Sequence, residues 1–502
     1  MPRRRSRGDR CSRSSPSSSG GYVDHPPLSV WLLRGVTETL GNSLLAIELL
    51  PALAGAATLV VIALLARELG GGRGAQICAA LGGLCSLVYL VMGSFHSMNA
   101  FEPLLWALGY WLLLRILAGA SPVLWLVLGA VVGLGLLSKL SMALFAIGLG
   151  VGLVVTPARR RLATPWPWLA AAVAFTLFLP HLVWQLRHDF VSFEFLSAMR
   201  TWSSGSVSSL EFAAGQLFAM SPIVAPLWIA GLAYGLLAPS LRAERPAFWI
   251  FVTAFTLLAA SGSAQLYYLG PAYPIVLGAG GVAVERFAVS RRWRWLPAAT
   301  MATLLLASAP LVTIALPLLP PETLVALDAA PTGEERRQTT ATNFDSELPG
   351  HLALRFGWPE LAEAVAAARA ALPPEQREHV AVLAPSFGEA AAIDFFGPPL
   401  GLPRAIGTHN QYGLWGPRGA AGALLLVIAD EQEPRIAHQD LPAGFRRGDT
   451  PRELASLCGE VERLASVDCR FCPPYVERKA VFVCRDPRQP LAEIWEDLRD
   501  TL

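Results

Sequence analysis

Asp24 and His25, followed by Pro26 and Pro27, set a carboxylate beside an imidazole on backbone that the two prolines hold extended. Such a pair can hold a phosphate, a metal ion or a sugar hydroxyl. It serves equally well as a turn that opens a helix with proline in its first turn. Further along, Asn99 and Glu102 stand three apart, a spacing that puts both on one helix face. Glu102 opens an apolar run, where its charge suits the helix dipole, so capping at a membrane interface is the plainer reading and ligand contact the sharper one. Lys139, in Leu137-Ser138-Lys139-Leu140-Ser141, lies between two apolar runs; its ammonium can reach a lipid phosphate or snorkel to the interface. In Arg187-His188-Asp189 the guanidinium fork matches a phosphate, and the two neighbours can orient it or titrate, unless this is an ordinary charged loop. Tyr267 and Tyr268 precede Pro271 and Pro274; the tyrosines form an aromatic belt, or the prolines break a helix and turn its backbone toward a cavity. No nucleophile triad, Walker loop or dinucleotide fingerprint is present.

The elements that carry these residues are apolar. Of 502 residues, 53% are hydrophobic and 16% charged, where a soluble protein carries about a quarter charged, and the mean hydropathy is +0.44. The net charge of +2 gives no reason to expect a nucleic-acid partner. Ten apolar segments are candidates to cross a bilayer: 44–66, 75–93, 99–118, 122–137, 140–156, 166–184, 212–237, 246–261, 265–284 and 296–316. The fourth and fifth are short enough to form one re-entrant hairpin instead. Alternate loops divide unevenly in cationic residues, eleven (Arg67, Arg73, Arg159 to Arg161, Arg242, Arg245, Arg286, Arg291, Arg292, Arg294) against three (Lys139, Arg187, Arg200). The richer set is expected in the cytoplasm. This places Asp24, the Phe95–Glu102 turn, Arg187–Asp189 and the C-terminal region outside.

Residues 1–20 are Arg- and Ser-rich and read as a disordered basic tail without the apolar core of a signal peptide. The membrane domain is expected over 21–319 and a linker over 320–345. Residues 346–502 read as a soluble extracytoplasmic α/β domain, with a helix at Trp358–Ala371, strands at Val380–Ala384, Leu424–Ala429 and Lys479–Cys484, and a helix at Ala390–Phe396. The polar, aromatic stretch Gly407–Gly416 reads as a loop of the kind that stacks on sugars. Cys458, Cys469, Cys472 and Cys484 all fall in this domain, where disulfides are the expected use; a zinc half-site at Cys469-Arg-Phe-Cys472 is the weaker one.

Taken together, Tyr22–Leu28, Phe95–Trp106, Leu136–Ser141, Leu179–Phe193, Tyr267–Pro274 and, in the C-terminal domain, Phe356-Gly357-Trp358, Gly388-Glu389-Ala390 and His409 to Pro417 resemble glycosyltransferase family 39. Its GT-C class includes protein O-mannosyltransferases and the bacterial enzyme that adds aminoarabinose to lipid A. The resemblance implies a membrane all-α, GT-C-like multi-span helical bundle followed by a small soluble α/β domain, in a bacterial inner membrane. It implies transfer of a sugar from a polyprenyl-phosphate donor to a lipid, glycan or protein acceptor at the outer face. By position, His25, Lys139, Arg187 and His188 are implied to bind the donor phosphate, and Asn99, Asp189, Tyr267 and Tyr268 the substrate. Asp24 and Glu102 are the catalytic candidates; a divalent ion beside Asp24 is the one cofactor to consider. The family carries its general base in an Asp-Glu pair upstream of the Tyr22 loop, behind a first helix. This chain has neither, so the expectation is a missing first helix, a replacement base at Asp24 or Glu102, or a non-catalytic relative that binds lipid phosphate or scaffolds an envelope assembly. A transporter is disfavoured, because the polar residues gather at one face and no internal repeat is visible.

Overall fold

The structure, a computed structural model, describes residues 20–202, 207–327, 346–418, 420, 424–432, 434–436 and 452–498. The expected basic tail, apart from Gly20, and residues 328–345 of the expected linker lie outside these. The described residues fall into two compact units, one within Ser17–Phe190 and Ser203–Leu318, the other within Val191–Trp202 and Leu319–Leu502.

The first unit is helical throughout. Its helices are α1 (Leu28–Leu40), α2 (Leu44–Glu68), α3 (Arg73–Leu84), α4 (Leu87–Met92), α5 (Glu102–Leu117), α6 (Leu124–Ser138), α7 (Met142–Val155) and α8 (Trp166–Arg187). Helix α9 (Val191–Trp202) belongs to the other unit, and α10 (Ser209–Ala219), α11 (Ala225–Leu237), α12 (Arg245–Ala260), α13 (Pro274–Arg291) and α14 (Leu296–Ala315) complete the first. Among the described residues four helices are long and apolar enough to cross a bilayer, Leu44–Glu68, Met98–Leu117, Trp166–Arg187 and Leu296–Ala315. Two bent pairs bring the number to six if each is one span. The expectation of ten uninterrupted spans is therefore corrected. Segment 75–93 breaks at Cys85-Ser86, segment 212–237 breaks at Ser221 (φ 77°) before Pro222, and 265–284 breaks at Pro271–Pro274. Helices α6, α11 and α12 are apolar but shorter. Helices α6 and α7 do not close on each other as a hairpin: α6 packs on α8, and α7 on α12. Helix α1, with Trp31 on its exposed side, is an element the apolar-run reading missed.

Three features fix the site-bearing end of α13. Pro274 has no N–H to give the Gly270 carbonyl, which accepts the Tyr89 hydroxyl at 3.0 Å and the Tyr273 N–H at 3.3 Å. The Ala272 carbonyl accepts from the Tyr110 hydroxyl at 3.2 Å, and the Leu266 carbonyl from the Gln216 amide at 3.1 Å. Gln216 is fully buried and also accepts from the Tyr273 hydroxyl at 3.0 Å. These bonds hold the 3₁₀ segment Leu266–Ala272 at 65° to α13. Along its length α13 meets α11 backbone to backbone: a Cβ on Gly231 would run into the Val276 carbonyl oxygen, and one on Gly280 into that of Leu227. At its far end, the Glu285 carboxylate accepts the N–H groups of Gly72 (2.9 Å) and Ala75 (3.0 Å), satisfying free donors at the start of α3.

The second unit includes the short helix α15 (Pro321–Leu327) and is built on a five-stranded sheet. Its strands are β1 (Ala381–Ala384), β2 (Ile406–Gly407), β3 (Leu424–Asp430), β6 (Cys458–Ser466) and β7 (Lys479–Pro487), in the order β2-β1-β3-β7-β6. A separate two-stranded pair, β4 (Arg435–Ile436) and β5 (Arg452–Glu453), lies apart from it. Strand β1 runs parallel to β2 and β3, and β7 antiparallel to β3 and β6. Alternate residues serve opposite faces. Val382, Leu426, Ile428 and Val481 pack under α16 (Trp358–Ala371) and α17 (Phe387–Phe396). Leu383, Leu425, Val427 and Phe482 pack against α19 (Leu491–Leu498). Burial on both faces explains why the central strands read as continuous apolar runs. Sequence periodicity passed over β6, whose side chains are mostly exposed. The expected loop at Gly407–Gly416 contains a short helix instead, α18 (Asn410–Trp415). Disulfides join Cys458 to Cys484 across β6 and β7, and Cys469 to Cys472.

Candidate functional site

The three-residue link between α6 and α7 carries Lys139, which ends α6 in extended conformation. Its ammonium donates to Asn99 Oδ1 at 2.8 Å and pairs with a Glu102 carboxylate oxygen at 3.5 Å. It also lies over the ring of Tyr268 at 4.4 Å and that of Tyr267 at 5.5 Å. The two rings meet edge to face at 4.8 Å. Glu102, the first residue of α5, is 2% exposed, and its carboxylate also accepts the Ser141 hydroxyl. Ser138 donates to the Met98 carbonyl at 3.2 Å, tying the end of α6 to the turn before α5. The Lys139 ammonium gives one hydrogen bond to Asn99, an ion pair to Glu102 and a face contact to Tyr268. Five separated positions, Asn99, Glu102, Lys139, Tyr267 and Tyr268, are thus one cluster. Ser138 and Ser141 belong to it too, and their place on either side of Lys139 was the available clue.

The Asp24–His25 turn forms a second cluster. His25 Nε2 lies 3.8 Å from Asp24 Oδ1, both side chains are part-exposed, and the Tyr22 ring packs 5.6 Å from the imidazole. Two further histidines stand near enough to interact electrostatically with His25, His96 and His181. His96 Nε2 bonds to the Ser29 carbonyl at 3.0 Å, and burial, with the neighbouring His25, pushes its pKa below the ordinary value. Nothing in the apolar pattern marked His96 or His181 as members. The turn from His96 to Glu102 joins the clusters, touching α1 through Ser29 and Lys139 through Asn99.

Arg187, His188 and Asp189 close α8. His188 stacks on Trp184 at 4.2 Å and its ring bonds to the Trp184 carbonyl at 2.8 Å. Arg187 and Asp189 are exposed, and Asp189 and Phe190 both adopt positive φ, 54° and 56°. Among the described residues no hydrogen bond or ion pair links Arg187 to Asp24 or to the Lys139 cluster. No group of three or more His, Cys, Asp or Glu side chains is gathered closely enough among them to hold a metal ion. Asp24 and His25 supply two donors only.

The broken apolar helices and the small mixed sheet give the chain a GT-C fold like that of ArnT, and the apolar helices mark a multi-pass membrane protein. ArnT from Cupriavidus metallidurans superposes in its apo state with a TM-score of 0.60 at 17% identity, covering 95% of this chain and 90% of that one. The same protein bound to undecaprenyl phosphate gives 0.59 at 17%, covering 92% and 88%. Residues 24–184 match the dolichyl-phosphate-mannose-protein mannosyltransferase family. That segment contains both clusters apart from Tyr22, Tyr267 and Tyr268. The lipid A galacturonosyltransferase RgtD of Rhizobium johnstonii is 32% identical over 219 residues, 41% of this chain and 45% of that protein. The match thus spans less than half the length of that relative.

Proposed function

We propose that this chain is a glycosyltransferase that moves a sugar from a polyprenyl-phosphate donor to an acceptor hydroxyl at the outer face of a bacterial inner membrane, its C-terminal domain extracytoplasmic. The observation that carries the reading is Lys139, a largely buried cation fixed by Asn99, Glu102 and two tyrosine faces. Its place within the segment matched to a lipid-phosphate-dependent family supports a phosphate as its ligand, as does the undecaprenyl phosphate bound by ArnT.

In this reaction the acceptor oxygen attacks the anomeric carbon while the carbon–oxygen bond to phosphate breaks. The lipid phosphate leaves with the electron pair, and Lys139 holds the charge that develops on it. His25, on the neighbouring turn, is a second donor to that phosphate. The acceptor proton goes to a carboxylate. Asp24, part-exposed, is open to a substrate. Glu102, sealed from water and engaged by Ser141 and Lys139, is suited to positioning the ammonium. Arg187 and His188 offer further phosphate contacts, and Asp189, Tyr267 and Tyr268 contacts to the sugar. The acceptor is a lipid, a glycan or a protein; the name of the Rhizobium relative favours lipid.

The test is reconstitution of the full chain in nanodiscs with radiolabelled undecaprenyl-phosphate sugars and a bacterial lipid extract. Label passing to the lipid fraction with release of undecaprenyl phosphate is the expected result. Tight binding of undecaprenyl phosphate with no transfer from any donor would refute the enzyme and leave a lipid-phosphate binder.

A further inference from the structure

Strand β7 runs out through Cys484-Arg-Asp-Pro-Arg-Gln-Pro490. Asp486 at φ 51° and the two prolines turn the chain from the ladder into α19. The Arg488 N–H donates to the Leu457 carbonyl at 2.9 Å, which ties this turn to the short helix Leu454–Leu457 ahead of β6. Helix α19 then buries Leu491, Ile494, Trp495 and Leu498, and Trp495 Nε1 donates to the Gly413 carbonyl at 3.0 Å.

The start of α19 and the short helix do not close on each other. An open cavity of about 400 Å³ lies there, lined by Ser456, Leu457, Arg488, Gln489 and Ile494, within the size range of small-molecule sites. A narrow space of about 20 Å³ shares Leu457, Gln489 and Ile494 with it and is otherwise walled by apolar side chains and the Cys458–Cys484 bridge. That space holds about one water-sized group, and apolar walls favour a methyl over water. The polar rim of the cavity is uncommitted. Arg485, three residues earlier, is engaged by Glu460 at 3.4 Å and Glu462 at 2.8 Å. Arg488 is exposed, and among the described residues its guanidinium has no hydrogen bond or ion pair; the same holds for the Gln489 carboxamide. Ser456 donates to the Glu453 carbonyl at 2.7 Å, which leaves its oxygen to accept.

An exposed arginine is ordinarily solvated and needs no ligand. Here it stands with a carboxamide on the rim of one cavity whose floor is Leu457 and buried Ile494. We propose that this cavity is a site for a small amphiphilic anion, an oxyanion head on a short aliphatic body. The guanidinium fork takes a carboxylate or phosphate head in two parallel bonds, and Gln489 adds an amide donor. The aliphatic body lies on Leu457 and Ile494, its end toward the apolar space beside the disulfide. The site belongs to the second unit, and its occupation does not depend on the transfer reaction proposed for the chain.

The test is isothermal titration calorimetry of the full chain in nanodiscs, with empty nanodiscs as the blank. The probes are hexanoate and hexyl phosphate; acetate and inorganic phosphate carry the head alone, and hexanol the body alone. At least one of the two amphiphiles is expected to bind, and the tighter of them identifies the head. Its head-only ion and hexanol are expected to bind about tenfold or more weakly. Arg488→Gln and Gln489→Ala change exposed side chains and leave the fold intact. The first is expected to weaken binding about tenfold or more and the second about threefold. Failure of both amphiphiles to bind, equal binding of the head-only ion or of hexanol, or wild-type affinity in Arg488→Gln would overturn the proposal.

Discussion

Replacing Lys139 by methionine separates what the cation does for the fold from what it does for the reaction. At 3.5 Å from Glu102, a unit charge pair in surroundings of effective dielectric about 20 attracts by about 5 kcal/mol. Desolvation of both groups offsets part of this, and removing one partner strands a carboxylate that is 2% exposed. Loss of a buried partner costs about 3–5 kcal/mol. The residual 16% exposure of Lys139 puts the expected loss near the lower end, about 3 kcal/mol. Thermal unfolding of the detergent-solubilised protein measures it. Transfer from the lipid-linked donor is expected to fall by about 10²–10³ in kcat, the usual loss for one preorganised electrostatic contact. Adding Glu102→Gln to Lys139→Met removes the stranded charge and should return most of the stability. Transfer should stay low in the double variant, because the phosphate still lacks its cation. A double variant that regains both stability and transfer would show that Lys139 serves only to neutralise Glu102. Wild-type turnover in Lys139→Met alone would refute the site.

Asp24→Asn is expected to lower transfer by about 10²–10⁴ and to shift stability by no more than about 0.5 kcal/mol, since the carboxylate is part-exposed and 3.8 Å from His25, its one ionic partner among the described residues; activity assays alongside unfolding curves check both. Gly231→Ala sets a methyl against the Val276 carbonyl oxygen and should cost about 1–3 kcal/mol, measured as a lowered Tm. Glu285→Gln removes the charge that caps α3 through Gly72 and Ala75 and should cost about 1 kcal/mol by the same measurement. The His96 pKa is lowered in the folded state by burial and by His25. The unfolded chain therefore binds that proton more readily, and the stability tied to His96 is kept above the ordinary histidine range and lost as pH falls through it. Tm should drop between pH 7.5 and 5.5, and less so in His96→Gln; equal drops would refute the assignment.

Composition was enough to find the apolar segments, because burial in lipid demands the same residue types whatever the helix does next. Where a helix breaks was less legible. Pro271 and Pro274 announced the bend before α13, whereas Ser86 left no comparable mark, and Pro222 was passed over inside an unbroken apolar run. Helix α1 was hidden by its mixed character. At the site, Asn99 and Glu102 were readable as neighbours because local geometry sets them three apart. That Tyr267 and Tyr268 would cover Lys139 was not, since the contact is made by packing between segments far apart in the chain. The same holds for the cysteines: four in one domain indicated disulfides, but the Cys458–Cys484 bridge joins residues brought together only by the packing of β6 and β7.

The backbone contact between α11 and α13 has a mechanical consequence. Glycine against carbonyl leaves no rotamers to rearrange, so the pair behaves as a rigid post, pinned at one end by the Glu285 carboxylate and at the other by Tyr89, Tyr110 and Gln216. Tyr267 and Tyr268 ride on that post. The opposite wall hangs on the short turn from His96 to Glu102 and the three-residue link that bears Lys139, each held by a few side-chain bonds. The tyrosine rings are therefore set on the more heavily braced side of the cluster, and the cation on the side held by fewer contacts.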